Sequence, residues 1–212
     1  MERYGVKPKK FTAAWFDYVW EYYKLHIIAV VLIVAAIIYT VIAFSTRTYY
    51  DFNICFAGET LLTDESKQKL SDVLKENLKD VNGDGEINIK IDDYSIGKNT
   101  QDGEYIAAMQ TRLYLELQAG EAYIFVLSED NAWRLKNDSA TEGLFDDASN
   151  WAENGKEGEY VKIEESKILN DAGILYENSY IAVRNFIYDE GNDEDQIQRE
   201  NAIDAANVIL AN

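Results

Sequence analysis

The chain has 212 residues, enough for one ordinary domain with some chain to spare. Hydrophobic residues make up 47% and charged residues 27%, which excludes a disordered tail and a polytopic membrane protein. The net charge of −18 argues against nucleic-acid binding, which needs basic surface to neutralise phosphates, and a single Cys excludes a disulfide framework or a Cys-rich zinc site.

The charge is unevenly spread. Residues 1–47 hold six basic side chains (Arg3, Lys7, Lys9, Lys10, Lys24, Arg47) and three acidic ones (Glu2, Asp17, Glu21), a net +3, so residues 48–212 carry −21. An apolar run extends from Leu25 to Phe44, with no polar side chain from Ile27 to Ile38. Twenty residues of helix rise about 30 Å, the thickness of a bilayer's hydrocarbon core. A cleavable signal peptide would have a core of roughly 7–15 residues, and Ala43-Phe44-Ser45 is a poor cleavage signal for one. A buried core helix would be shorter and more mixed. Length favours an uncleaved transmembrane helix over residues 25–45. Five basic residues precede the run and one follows, which places residues 1–24 in the cytoplasm and inner interface and residues 46–212 outside the cell membrane.

Just before the anchor, Phe11, Trp15, Val19 and Tyr22 recur at helical spacing, with Phe16, Tyr18, Trp20 and Tyr23 beside them. Tyr and Trp favour the headgroup layer because their rings are apolar with one polar atom. Residues 10–24 read as an amphipathic helix in the inner interface, continuous with the anchor or bent from it. It serves either as the aromatic belt of a single span or as a partner site. Ala29, Ala35, Ala36 and Ala43 make no clean small-residue face for dimerisation.

The outer part alternates strand and helix. Tyr49 to Phe56 reads as a strand stopped at Gly58. Thr63 or Asp64 caps a helix whose apolar positions are Leu70, Val73, Leu74 and Leu78. Ile87, Ile89 and Ile91 alternate with polar residues as a second strand. A second helix carries Ile106, Met109, Leu113 and Leu117 and ends at Gly120. Ala122 to Leu127 is a continuous apolar run, expected of a central strand buried on both faces. Short helices or turns surround Trp133 and Trp151. Strands follow at Tyr160–Ile163 and Tyr180–Asn185, and Asn192 or Asp193 starts a last helix bearing Ile197, Ile203, Ala206, Ile209 and Leu210. Such alternation predicts an α/β domain with a mostly parallel sheet covered by helices and joined by right-handed crossovers.

The segment Asp80 to Asn88 matches the first nine positions of an EF-hand-type or dockerin-type calcium loop. Asp80, Asn82, Asp84, Glu86 and Asn88 are the candidate metal residues, and Gly85 sits at position 6. Position 12, where a bidentate acid belongs, is Ile91. The segment is therefore either half of a weak calcium site or a helix-to-strand turn in which Asn-Gly and Asp-Gly supply positive φ. Catalytic templates are missing. The only His, His26, lies at the anchor, so the outer part has no Ser-His or Cys-His pair, and the chain has no P-loop, Gly-x-Ser-x-Gly elbow or Gly-rich dinucleotide loop. Cys55 falls within a strand, in a small buried apolar role. These features predict a protein without catalytic activity. A carboxylate-dependent surface hydrolase is the remaining enzymatic alternative.

The stretch Leu113 to Asp147 resembles part of a bacterial extracellular solute-binding protein. The likeness rests on Leu117-Gln118-Ala119-Gly120-Glu121-Ala122 running into the apolar strand Tyr123–Leu127, then on Trp133-Arg134-Leu135 and Gly143-Leu144-Phe145-Asp146-Asp147. Ser179 to Arg184 with the last helix is similar to the family's returning strand and helix. The resemblance implies a three-layer, periplasmic-binding-protein-like lobe. With the rule for open α/β sheets, it places a ligand beyond the carboxyl ends of the strands, at Gly58, Glu59, Ser128, Glu129, Asn131 and Trp133. Trp133 either stacks on a sugar or caps the core, the core role being favoured. The expected function is a membrane-anchored binding or interaction module with a small-molecule ligand. The alternative is an accessory subunit docked on another membrane or surface protein.

Overall fold

A computed structural model of the chain describes residues 8–45, 48–153, 156–185 and 193–211. The charged residues Glu2, Arg3, Lys7 and Arg47, the first part of the acidic patch Asp189–Asp195, and Asn192 lie outside the described residues. The chain divides into two compact units, residues 1–48 and 49–212.

The first unit is a single helix, α1 (Ala13–Ser45), of 33 residues. Thr12 precedes it, its hydroxyl accepting from the Trp15 amide at 3.3 Å and its carbonyl from Trp15 at 2.9 Å. From Ala13 onward the aromatic segment and the apolar run are therefore one continuous helix, about 50 Å long at 1.5 Å per residue. Residues 10–12, with Phe11 at φ +65°, form a turn before it instead of the helix start expected at residue 10. Its mean hydropathy reaches 3.1 over 18 residues, and none of it is buried. Among the described residues it is the one helix long and apolar enough to cross a membrane. Thr40, a polar residue within the apolar run, donates its hydroxyl to the Ala36 carbonyl at 2.8 Å. That bond satisfies the hydroxyl without water.

The second unit is mixed α/β. In chain order it comprises β1 (Phe52–Ala57), α2 (Asp64–Lys75), β2 (Ile89–Asp93), α3 (Gly103–Ala119), β3 (Ile124–Ser128) and α4 (Glu129–Lys136). Then come β4 (Val161–Lys162), α5 (Lys167–Asp171), β5 (Ser179–Val183) and α6 (Asp193–Leu210). The five strands form one sheet in the order β2-β1-β3-β5-β4. β2 and β3 pair parallel to β1, as the βαβαβ alternation predicts, whereas β5 is antiparallel to both β3 and β4. Four strands thus share a direction and β5 opposes them, so the expected mostly parallel sheet is a mixed one. α4 and α5 lie between β3 and β5, but the chain returns antiparallel to β3, so this connection is not a parallel crossover. The chain between them detours through α4, two 3-10 turns, the two-residue β4 and the short α5.

Alternation along the strands sorts their side chains to two faces. Phe52, Ile54, Phe56, Ile124, Val126, Ile181 and Val183 pack with Leu70 and Leu74 of α2, Leu169 of α5, and Ala202, Ala205, Ala206 and Ile209 of α6. Cys55, Ala57, Phe125, Leu127 and Ala182 pack with Leu113 and Leu117 of α3 and Ala132 and Leu135 of α4. The crossover through α2 steps from β1 to one side, and that through α3 steps past β1 to the other. Right-handed connections then require the two helices on opposite faces, as the packing shows. β3 is central and wholly buried, as its unbroken apolar run predicts.

Local stops and starts follow the chemistry. Thr63 caps α2, accepting from Ser66 N, and Gly120 ends α3 at φ +77°. The strand edges shift from expectation. Tyr49 and Tyr50 lie outside β1 and are 46% and 44% exposed. Ile87 belongs to the loop before β2. Both shifts trace to Asp51, which is fully buried and accepts from Val81 N at 3.1 Å and Asn88 N at 2.8 Å. One carboxylate thereby clamps both ends of the Asp80–Asn88 loop against the start of β1. A second clamp is Asn201 of α6, also fully buried, which bonds the amide of Lys79 at 2.8 Å and its carbonyl at 2.9 Å.

Candidate functional site

β1 has β2 on one side and β3 on the other, so the connections leaving β1 and β3 diverge. In open α/β sheets this divergence opens a crevice outside the carboxyl ends. A cleft of about 260 Å³ lies at that point. Gly58 and Glu59 line it from the end of β1, and Ser128, Asp130, Asn131 and Arg134 from the end of β3 and the first turns of α4. Gly97, Lys98 and Thr100 line it from the segment after β2.

The walls are fixed by hydrogen bonds. Gly58 N donates to Ser95 Oγ at 2.9 Å, and Ile96 N donates to Gly58 O at 3.0 Å, tying the β1 and β2 exits together. Asp93 accepts from Leu62 N at 2.7 Å and Ser95 N at 3.0 Å, holding both loops from below. Asn131 donates its side-chain amide to Ala57 O at 2.7 Å, so α4 is pinned to the end of β1. Ser128 caps α4, its hydroxyl accepting from Asn131 N at 3.3 Å.

Charge in the cleft is balanced. Lys98 Nζ lies 2.6 Å from Glu59 Oε2, and that bond, with Glu59's charge, raises the Lys98 pKa above its ordinary value. Glu177, just before β5, adds to the same upward push. Arg134 and Asp130 make no ion pair among the described residues, so a guanidinium fork and a carboxylate remain available to a ligand. The arrangement suits a polar molecule that accepts at one end and donates at the other.

Four of the residues picked from sequence therefore meet: Gly58, Glu59, Ser128 and Asn131. The other two do not. Glu129 and Trp133 line a separate groove of about 190 Å³ with Ala132, Lys136, Tyr160 and Tyr180. Trp133 is 67% exposed, which corrects the expectation that it caps the core. The buried position goes to Trp151, at 4%. The cause is helical phase: Ala132 and Leu135 face the sheet, turning residue 133 outward. Sequence reasoning missed Lys98 and Arg134. The rule it used covers every parallel strand, and applying it to the exit of β2 would have found Lys98. Arg134 lies one helical turn beyond Asp130, on the same face of α4.

The Asp80–Asn88 loop is a tight, self-bonded turn. Asp80 accepts from Gly83 N and Gly85 N, both at 2.7 Å, and these bonds hold its pKa below the ordinary value. Asn82 accepts from Asp84 N, and Asp84 accepts from Glu86 N, each at 2.8 Å, while Asn88 is tied through its amide to Asp51. Gly83 and Gly85 adopt φ of +73° and +86°, the role the turn reading assigns them. Among the described residues no three Asp, Glu, His or Cys side chains come together as a metal-binding group.

Beneath α3 lies a polar cluster that no motif announced. Glu116, 7% exposed, accepts from the Tyr94 hydroxyl at 3.1 Å, and Lys90 Nζ lies 2.7 Å from Asp92 Oδ2. Arg184 donates to the Leu117 carbonyl at 2.9 Å. Burial, aided by the nearby Glu116 and Asp92 charges, pushes the fully buried Cys55 thiol well above its usual pKa, so Cys55 is an inert core residue.

No family model, curated protein or solved structure matches the chain.

Proposed function

We propose that the protein is a single-pass membrane-anchored module whose extracytoplasmic α/β lobe binds a small polar ligand in the cleft at the ends of β1, β2 and β3. In this reading α1 is the anchor, with the basic residues before it on the cytoplasmic side and its aromatic first turns in the inner interface. The lobe is a three-layer unit of the periplasmic-binding-protein kind. The observation that carries the proposal is the convergence of Gly58, Glu59, Ser128 and Asn131 with Lys98 and Arg134 on one cleft at the switch point of the sheet. In this reading the binding is non-catalytic: the Ser128 hydroxyl serves as the cap of α4, and the Glu59 carboxylate beside Lys98 favours its protonated, non-nucleophilic form.

The test is a thermal-shift screen of the full chain in detergent across amino acids, short peptides and sugars, repeated with Arg134→Ala. A ligand that raises the melting temperature of the wild type and has no effect on Arg134→Ala supports the reading. Silence throughout, with a partner protein co-purifying from detergent, replaces it with the accessory-subunit reading. That is the natural rival, since the described residues form one α/β lobe and a clamshell closes two over a ligand.

A further inference from the structure

The groove beside α4 is separate from the polar cleft and has a different character. Glu129, Ala132, Trp133 and Lys136 follow one another at helical spacing, forming a stripe about 10 Å long along one side of α4. A carboxylate thus stands at one end, an ammonium at the other, and an indole between them. Tyr180 of β5 and Tyr160, just before β4, form the facing wall. Both phenols are half-buried against the Phe125–Leu127 side of the core, so that wall is rigid. Tyr160 packs edge-on against Phe145, with ring centroids 5.2 Å apart.

We propose that this groove binds a pyranose ring of a glycan. A pyranose has a C–H face, weakly positive, and a rim of hydroxyls that both donate and accept. The C–H face sits on the electron-rich π-face of an exposed indole, and Trp133 is 67% exposed. Rim hydroxyls can donate to Glu129 and accept from Lys136. The two charges cancel, so neither an anion nor a cation is selected, and a neutral polyhydroxylated ring meets both ends. At about 190 Å³ the groove is smaller than the roughly 300–1,000 Å³ of drug-sized pockets and suits one ring of a longer chain. This inference does not rest on the polar cleft and stands or falls separately from it.

The test is calorimetry on the full chain in nanodiscs, titrated with hexasaccharides of β-1,4-linked glucose, of β-1,4-linked N-acetylglucosamine and of mannose. Saturable heat is expected with one of them, weakened about tenfold or more by Trp133→Ala and less by Trp133→Phe. Because the indole is exposed, Trp133→Ala should keep the wild-type urea midpoint. If it does not, Lys136→Met, which truncates nothing buried, is read in its place and should weaken binding. No heat with all three glycans overturns the proposal. So does binding that survives Trp133→Ala, or heat with tetramethylammonium chloride in place of sugar, which would make the groove a cation–π site.

Discussion

Truncating Asn201 probes how the last helix is fastened to the rest of the α/β unit. Asn201 is fully buried on α6, and its side-chain amide closes a two-bond ring with the backbone of Lys79, at 2.8 Å and 2.9 Å. Asn201→Ala removes both bonds and leaves a backbone N–H and C=O to find other partners. Each such loss costs about 1–3 kcal/mol when the stranded group stays dry and about 0.5–1.5 kcal/mol when water replaces the partner. Lys79 is itself exposed, so water reaches part of the site and the lower figures apply. The sum is about 2 kcal/mol. With a urea dependence of about 2 kcal/mol per molar, the unfolding midpoint of residues 48–212 should fall by about 1 M. The fragment is a fair object because, among the described residues, every buried core side chain lies within it and α1 contributes none. Lys79→Ala is the control: it removes the exposed Lys79–Glu200 ion pair but keeps the backbone groups, and should leave the midpoint nearly unchanged. A loss for Lys79→Ala as large as for Asn201→Ala would refute the backbone clamp, as would no loss for either.

Three further outcomes follow from the geometry. Cys55 should resist thiol reagents in the native state at pH 8 and react with one equivalent in denaturant. Rapid native labelling would show that the sheet opens at β1. Asp80, Asp138 and Asp147 have folded-state pKa values below the ordinary 3.8, chiefly through hydrogen bonds from Gly85 N to Asp80, Ala140 N to Asp138, and Ser149 to Asp147. A depressed carboxyl stabilises the fold above its unfolded pKa and loses that contribution as pH falls through its folded pKa. The urea midpoint should therefore decline as pH drops below about 4, and Asp80→Asn should flatten that decline. A midpoint that rises on acidification would contradict the assignment. Calorimetry at millimolar calcium should show no binding to the Asp80–Asn88 loop. Asp80 and Asp84 are occupied by backbone N–H groups, and position 12 of the loop is Ile91 within β2. Heat that disappears in Asp84→Ala would restore the calcium reading.

What was legible in the sequence was what local chemistry dictates. The βαβαβ order from β1 to β3 followed from apolar period and caps, down to the choice of Thr63 or Asp64 before α2, which the structure resolves to Thr63, and Gly120 after α3. Buried β3 followed from its unbroken apolar run. The chain after Ser128 was harder because non-local contacts decide it. β4 is two residues long, and β5 looks like any apolar strand. Nothing within Ser179–Val183 says that it runs against β3, since direction depends on where the intervening chain returns. Trp133 illustrates the same limit at one residue. Its size favours burial, but the helical phase set by Ala132 and Leu135 turns it to solvent. The cleft was half legible. Gly58, Glu59, Ser128 and Asn131 follow from strand ends. Lys98 lies at the exit of β2, which the same strand-end rule reaches, whereas Arg134 enters only because α4 continues long enough to carry a second turn past the cleft.

The central claim is that α1 spans the membrane with the α/β unit outside, and single-cysteine labelling tests it most directly. Cys55 is fully buried with a raised thiol pKa, so the native chain gives a silent background. Leu175→Cys reports on the α/β unit and Phe11→Cys on the N-terminal side, at positions 71% and 79% exposed. An impermeant maleimide should label Leu175→Cys in intact cells and Phe11→Cys only after lysis. Labelling of Phe11→Cys in intact cells, or of Leu175→Cys only after lysis, would contradict the account.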